Sequence, residues 1–191
     1  MTNPAETSAA PYPAATRVVF PVEPYEPSDP RFGENVRGAG GLFGIHLGED
    51  VCAVAGTVVR SVADGLVVYS GFHPGSAEKG NWGNIVIVGH RHPVSGADFF
   101  SLYGHLGPGA KPAGDLVAVG EPLGAVGAAY TAENGWWEAH LHFAIYTGPW
   151  TGSVLPGYFR EGSDRTRPEH WTDPSAFIRS FLAEPYLTVV S

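Results

Sequence analysis

The chain has 191 residues, which suits one domain with a substantial core. Its net charge is −8 and its basic residues form no cluster, which argues against nucleic acid as a partner. The single cysteine, Cys52, excludes an internal disulfide and any zinc site built from several cysteines. No apolar run is long enough to predict a transmembrane segment.

The 26 glycines and 17 prolines are spread along the sequence, which predicts short strands joined by turns and irregular loops. Residues 1–16 are rich in Ala, Pro and Thr and lack the basic start and apolar core of a secretory signal, so we interpret them as a flexible N-terminal arm. Residues 17–191 are predicted to form a single domain. Near its end, Asp173 and Pro174 are typical of a helix start, which predicts a short C-terminal helix.

Several apolar runs predict the strands of the domain. The first is residues 17–21, and the runs at 84–89 and 99–106 follow later in the chain. Asp64 and Gly65 lie between two runs rich in β-branched residues, which is a strong hairpin signal. The sequence therefore predicts an all-β fold that is mainly antiparallel.

The most informative stretch is Glu-Ala-His-Leu-His-Phe at 138–143. If it is a strand, His140 and His142 point to one face, while Leu141 and Phe143 point to the other, into a core. Imidazoles on one face of a strand suit a metal site on the floor of a groove. The alternative is a pair of surface histidines on a half-exposed strand, since so short a motif is weak by itself.

A second pair of potential ligands occurs earlier in the chain. His46 and Asp50 are four residues apart, and Gly48 between them permits a tight turn. With His142 they provide two imidazoles and one carboxylate. That set leaves a fourth coordination position open, as in catalytic zinc sites.

Two further histidines can handle protons at such a site. No helical zinc-protease motif is present, so His105 and His140 are the candidates for general acid–base work. A purely structural zinc site is the less favoured alternative, because only three protein ligands are predicted to converge.

Taken together, these motifs resemble the lysostaphin-type zinc endopeptidases of bacterial cell walls. The resemblance covers roughly residues 20–146 and rests on the order and spacing of several blocks, each weak alone. The blocks are H-L-G-E-D at 46–50, G-T-V-V…A-D-G-L-V at 56–67, W-G-N-I-V-I at 82–87, L-Y-G-H-L at 102–106, G-D-L-V…G-E-P-L-G-A-V-G at 114–127 and H-L-H-F at 140–143.

The resemblance implies a mainly antiparallel β fold with an open substrate groove across a sheet. It implies one zinc ion per chain, held by His46, Asp50 and His142. It also implies that His105 and His140 orient or deprotonate the water and stabilise the oxyanion. The implied substrate is a peptide bond in the stem or cross-bridge of peptidoglycan.

The loop before the H-L-H-F block departs from the Gly/Ser/Thr-rich version usual in the family. It carries Tyr130, Trp136, Trp137 and Glu138. One hypothesis is that the aromatic residues wall the groove and that Glu138 binds a substrate amine. The alternative is that the tryptophans only pack the loop onto the sheet.

The sequence thus predicts a zinc-dependent endopeptidase acting on peptidoglycan peptides, expected to be a monomer. The alternative is a non-catalytic relative that binds peptidoglycan or regulates another enzyme while retaining the groove. All five polar positions of the family motifs are present, which favours the enzyme. The localisation stays open, although the implied activity predicts action at the cell wall.

Overall fold

The computed structural model describes residues 11–38, 41–160 and 168–183. A 3-10 helix, Pro168–His170, precedes the last strand, and one α-helix, α1, follows it within the described residues. The elements are β1 (Pro27–Ser28), β2 (Asn35–Gly38), β3 (Gly41–His46), β4 (Glu49–Cys52), β5 (Val58–Arg60), β6 (Gly65–His73), β7 (Gly83–Arg91), β8 (Asp98–Leu106), β9 (Leu116–Val117), β10 (Pro122–Ala125), β11 (His140–Tyr146), β12 (Tyr158–Phe159), β13 (Trp171–Thr172) and α1 (Pro174–Ala183).

The main sheet has eight strands. Their order is β1-β4-β11-β8-β7-β6-β9, and β13 pairs with β11 beside this path. All of these pairs are antiparallel. A three-stranded sheet, β12-β3-β2, and a two-stranded sheet, β10-β5, accompany it. The predicted all-β, mainly antiparallel fold is confirmed.

Alternation along β11 assigns the two faces of the main sheet. Leu141, Phe143 and Ile145 are fully buried in a core that also contains Val18 of the N-terminal segment and Phe181 of α1. Burying a large apolar side chain in this way contributes about 1.5–3 kcal/mol. The opposite face therefore receives the intervening residues of β11, including both histidines.

A second apolar cluster lies on that opposite face. Leu102 and Ala144 of the sheet pack there with Leu47, which follows β3, and with Leu155 and Trp171 from later in the chain. The candidate functional site lies at this face, where the turn after β3 and the connection after β11 meet the sheet.

The C-terminal helix was predicted correctly. The backbone N–H of Ala176 donates to Asp173 Oδ1 at 2.7 Å, which is the expected N-cap bond, and Pro174 is the first helical residue. Ile178 and Phe181 are buried against the sheet. The described residues contain no helix with the length and apolar composition that a membrane crossing needs.

The hairpin predicted at Asp64–Gly65 is wrong. β5 pairs with β10, whereas β6 pairs with β7 and β9. Gly65 allows close packing: a Cβ there would lie 2.4 Å from the Val88 side chain. Asp64 Oδ1 accepts a hydrogen bond from the Val119 backbone at 2.8 Å, so this residue pair ties the start of β6 to a distant segment.

The strand predicted at 17–21 is also wrong. Its backbone bonds other segments only at isolated points, such as Val19 N to the Val62 carbonyl at 2.9 Å, so no ladder forms. Within the predicted N-terminal arm, Ala15 is fully buried and its N–H donates to the Arg91 carbonyl at 2.8 Å. Residues 1–10 of the arm lie outside the described residues.

Candidate metal centre

The predicted metal ligands lie on three strands. His46 ends β3, Asp50 lies in β4 and His142 lies in β11. Since β4 pairs with β11, Asp50 stands directly opposite His142. Gly48 brings the turn after His46 against β11, because a Cβ at this position would lie 2.7 Å from His142 Nε2 and 2.6 Å from the Phe143 carbonyl oxygen. Glycine is the residue that permits so close an approach.

The three side chains converge on one point. His142 Nδ1 lies 2.9 Å from Asp50 Oδ1 and 3.1 Å from His46 Nε2. His46 Nε2 lies 3.4 Å from the same Asp50 oxygen. His46 and His142 are almost completely buried, whereas the Asp50 side chain keeps 15% of its surface exposed. These three residues form a group that could hold a metal ion.

Hydrogen bonds alone cannot satisfy this cluster. His46 Nδ1 lies 2.9 Å from the Pro30 carbonyl, which can only accept, so this nitrogen carries the proton and Nε2 of the neutral ring presents a lone pair. Asp50 Oδ1 is also an acceptor, and a neutral His142 can place at most one N–H between them. A cation would satisfy all three lone pairs. Two imidazoles and one carboxylate are a donor set that suits zinc.

The pKa values of Asp50 and His142 favour the protonation states that bind a metal ion. Burial would raise the pKa of Asp50, but the imidazoles of His142 and His46 beside its carboxylate outweigh this effect and hold the pKa well below the usual range of a carboxyl group. Burial lowers the pKa of His142 to about 4, against the opposing effect of Asp50. Asp50 is therefore ionised and His142 neutral at pH 7, which are the forms that bind metals.

A buried carboxylate fixes β4 from its other face. Glu49, which neighbours Asp50, points into the opposite core and is almost fully buried. Its Oε2 accepts hydrogen bonds from the Tyr25 hydroxyl and, at 2.8 Å, from the Ser175 hydroxyl of α1. These bonds tie β4 to the N-terminal segment and to the helix, so the strand that carries Asp50 is held on both faces.

His140 lies beside the cluster, on the same face of β11 as His142. Its Nδ1 is 2.8 Å from the Glu138 carbonyl and therefore carries the proton of the neutral ring. Its Nε2 is 3.5 Å from Asp50 Oδ1. The ring thus presents Nε2 towards the cluster.

His105 reaches the same site because β8 is irregular where it occurs. The pairing of β7 with β8 shifts register between Asn84 and Val86, and His105 has a φ of 61°. Simple alternation would put His105 on the face of Tyr103, whose ring lies in the opposite core. The bulge instead directs the imidazole to the site, where its ring centre is 4.7 Å from that of His140.

Backbone carbonyls fix the orientation of His105. Its Nδ1 lies 3.1 Å from the Trp82 carbonyl and 3.0 Å from the Asn134 carbonyl, so Nδ1 is the donor and Nε2 faces the site. Burial, followed by the neighbouring His140 and His142, lowers the pKa of His105 well below its usual value. Both predicted proton-handling histidines therefore have Nδ1 bonded to carbonyls and Nε2 left for chemistry.

Two clefts adjoin these residues. The larger has a volume of about 730 Å³ and includes Asp50, Trp137, Glu138 and His140 in its walls. The smaller, of about 140 Å³, includes His105 and Trp137. Trp137 lines both clefts. We interpret the larger cleft as the open groove that the sequence predicts, and its binding of substrate stays a prediction.

The predicted groove residues fall into two groups. Trp137 and Glu138 line the larger cleft, whereas neither Tyr130 nor Trp136 is among the residues that line either cleft. Tyr130 contacts a residue of the larger cleft, since its hydroxyl donates to Glu138 Oε1 at 3.0 Å. Trp137 also packs the loop, because its indole N–H donates to the Asn81 carbonyl at 2.8 Å. Their role in binding substrate stays a prediction.

Sequence reasoning missed three residues at the site. The ring of Tyr158 stacks on His46 with centres 5.2 Å apart, and the ring of Trp82 meets His142 edge to face at 4.9 Å. Asn134 is fully buried within the loop that precedes β11. Trp82 belongs to one of the motif blocks and could have been noticed there. Tyr158 and Asn134 carry no comparable signal, since the histidines that they contact at the site, His46 and His105, are distant in sequence.

Comparisons with known proteins find relatives of this chain in sequence. The sequence profile of Peptidase family M23 matches residues 44–153. The chain is 33% identical over 99 residues to the DD-carboxypeptidase/endopeptidase Mpg of Neisseria meningitidis and to that of Neisseria gonorrhoeae. Each match covers 52% of this chain but only 19% of the relative, so the chain spans about a fifth of the length of these relatives.

Solved structures share the fold. LytU matches with a TM-score of 0.54 at 20% identity, over 82% of this chain and 86% of that chain. The catalytic domain of the antimicrobial peptidase lysostaphin from Staphylococcus simulans matches with a TM-score of 0.51 at 21% identity, over 81% and 92%. A zinc-containing peptidase from Vibrio cholerae matches with a TM-score of 0.50 at 26% identity, over 66% and 35%.

Proposed function

This chain belongs to peptidase family M23, and on that premise we propose that it is a zinc-dependent endopeptidase that hydrolyses peptide bonds in peptidoglycan stem or cross-bridge peptides. The names of its relatives support a peptide substrate. Mpg is described as a DD-carboxypeptidase/endopeptidase, and lysostaphin as an antimicrobial peptidase. The site proposed for the reaction is the cluster at the edge of the larger cleft.

One observation carries the proposal. His46 Nε2, Asp50 Oδ1 and His142 Nδ1 lie within 3.4 Å of one another and present more lone pairs than N–H groups. These three residues would hold one zinc ion per chain. When bound, zinc supplies Lewis-acid chemistry, which polarises a carbonyl group and makes a water molecule more acidic.

The other two histidines handle protons. His105 and His140 each have Nδ1 bonded to a backbone carbonyl, so each neutral ring presents an unprotonated Nε2 at the site. One imidazole takes a proton from the attacking water, and the other, in its protonated form, donates a hydrogen bond where negative charge develops on the scissile carbonyl. When the C–N bond breaks, the proton taken from the water passes from the first imidazole to the leaving amine. The rings are close enough, at 4.7 Å between centres, to face the same peptide bond.

The cleft and its loop position the peptide. Trp137 lines both clefts, and Glu138 lines the larger one. Tyr130 hydrogen-bonds that carboxylate. We assign these residues, with Trp136 beside them in the loop, to substrate binding, Glu138 pairing with an amine of the peptide.

Digestion of purified peptidoglycan tests the proposal. The zinc-loaded protein is incubated with the polymer, and new amino termini are identified by mass spectrometry. His142→Ala removes a ligand, and His73→Ala is the matched control, since His73 bonds Tyr69 on β6 rather than the cluster. New termini produced by the wild type and the control but not by His142→Ala are expected. Absence of new termini with zinc bound would overturn the proposal and favour a non-catalytic relative that binds peptidoglycan.

A further inference from the structure

We propose that Asn134 is a positioning residue, whose buried side chain shapes the loop at 128–138 so that its own backbone carbonyl fixes the tautomer and direction of His105. The proposal rests on the proposed function in one respect, that His105 handles a proton during peptide hydrolysis. The contact itself is a property of the fold, so it can be tested without turnover.

The side chain of Asn134 organises the loop. Its Oδ1 accepts hydrogen bonds from the backbone N–H groups of Trp136 at 3.0 Å, Trp137 at 3.2 Å and Thr131 at 3.4 Å. Its Nδ2 donates to the Trp137 carbonyl at 2.8 Å. One fully buried amide therefore satisfies backbone groups on both sides of itself. An apolar side chain here would leave those groups unpaired.

The loop is also packed backbone to backbone against the segment that precedes β7. A Cβ at Gly135 would lie 2.0 Å from the Asn81 carbonyl oxygen, and one at Gly83 would lie 2.1 Å from the Glu133 carbonyl oxygen. Asn81 N donates to the Gly135 carbonyl at 3.0 Å. The two segments thus form one unit that brings the carbonyls of Asn134 and Trp82 to the same imidazole.

These two carbonyls decide which nitrogen of His105 carries the proton. Both lie within 3.1 Å of Nδ1, and both can only accept. The backbone of His105 is held separately, since its N–H donates to the Trp82 carbonyl and its carbonyl accepts from Gly127 N, both at 3.0 Å. Displacement of the Asn134 carbonyl would therefore leave His105 in place but weaken the bond that keeps Nε2 unprotonated and directed to the site.

The test combines a spectroscopic signature with kinetics. The zinc-loaded 191-residue protein is labelled with ¹⁵N, and the ring nitrogen shifts of His105 are measured for wild type, Asn134→Ala, Asn134→Asp and Thr131→Val. Asn134→Asp keeps the acceptor oxygen and loses the donor. Thr131→Val is the matched control, because it removes two hydrogen bonds within the same loop, to Ala128 and Asn134, without contacting His105.

We expect the wild type and Thr131→Val to show one tautomer with the proton on Nδ1. Asn134→Ala should show a mixture of tautomers and a kcat on peptidoglycan peptides about 10- to 100-fold lower, with KM and zinc content nearly unchanged. The tautomer ratio and kcat of Asn134→Asp should lie between those of the wild type and Asn134→Ala. If Asn134→Ala does not fold, the comparison of Asn134→Asp with wild type decides the question.

An unchanged tautomer in the folded Asn134 variants would overturn the inference, as would a mixed tautomer with unchanged kcat. A wild type that shows the Nδ1-protonated tautomer but cleaves no peptide would contradict the proposed function while leaving the role of Asn134 in place. The two failures are therefore distinguishable.

Discussion

His90 and His142 lie on opposite faces of the same sheet and look alike by burial and acidity. Their exposed fractions are 0% and 1%, and burial lowers the pKa of each to about 4. Their hydrogen bonds differ. His90 Nδ1 lies 2.8 Å from the Asp64 carbonyl and Nε2 lies 2.7 Å from the Ser101 hydroxyl. His142 Nδ1 shares a crowded space with His46 and Asp50, while its Nε2 has no partner among the described residues.

The difference separates a structural histidine from a candidate ligand. Both ring nitrogens of His90 are satisfied by groups of the fold, so nothing is missing from its surroundings. At His142 the surrounding groups present lone pairs to one another, which a cation would resolve. A shifted pKa and deep burial are common to both residues, so neither property alone identifies the functional one.

The comparison predicts that zinc stabilises the protein through His142 and not through His90. At free zinc a thousandfold above the dissociation constant, the free energy of unfolding should rise by about 4 kcal/mol in the wild type and in His90→Ala. It should not rise in His142→Ala. Chemical denaturation with zinc and with a chelator measures the effect. An equal zinc effect in His142→Ala would break the comparison.

A second prediction concerns the structural role of His90. The substitution His90→Ala removes the ring that stacks on Phe99, together with its hydrogen bonds to the Asp64 carbonyl and the Ser101 hydroxyl. We expect the free energy of unfolding to fall by about 3 kcal/mol at pH 7. Zinc content and kcat should stay unchanged in the folded variant. A loss of zinc with no loss of stability would reverse the roles assigned to the two histidines.

The pH dependence of stability provides a further test of the structural role of His90. The pKa of His90 is about 4 when folded and 6.5 ordinarily, so the unfolded chain binds a proton first as the pH falls. The contribution of neutral His90 is complete above pH 6.5 and is lost progressively as the pH falls towards 4. It amounts to at most about 3 kcal/mol. The stability of metal-free wild type relative to His90→Ala, measured from pH 7 to pH 4, should shrink by this amount. A constant difference would contradict the assignment.

The smallest effect is expected at the rim of the groove. Tyr130→Phe removes one exposed hydrogen bond to Glu138 and should change the free energy of unfolding by about 0.5 kcal/mol or less. If Glu138 binds a substrate amine, KM for peptides with a free amine should rise while kcat stays the same, since the carboxylate loses the donor that orients it. An unchanged KM would leave the loop only a packing role.

Much of the fold followed from local patterns. The period of two in β11 correctly placed Leu141 and Phe143 in a core, with His142 on the opposite face. The same pattern, together with the turn at Gly48, anticipated the convergence of donors that the structure contains. The C-terminal helix was predictable because its capping residues are adjacent in sequence.

The remainder depended on contacts that no local pattern records. His105 faces the site only because a bulge in β8 reverses the alternation that places Tyr103 in the core. Asp64 and Gly65 together are typical of a turn, but the structure needs a glycine at 65 for a different reason. A side chain there would collide with Val88. The backbone carbonyl of Asn134 contacts His105, which lies 29 positions earlier in the sequence. Such contacts form between residues that are far apart in sequence. Local patterns, such as a hairpin signal or the alternation of a strand, carry no information about them.

The most direct test of the account is the zinc stoichiometry of the intact protein, measured by native mass spectrometry on wild type, His142→Ala and His90→Ala prepared side by side. One zinc ion per chain is expected in the wild type and in His90→Ala, with none in His142→Ala. Zinc retained by His142→Ala, or absent from zinc-treated wild type, would contradict the assignment of His46, Asp50 and His142 as the metal centre.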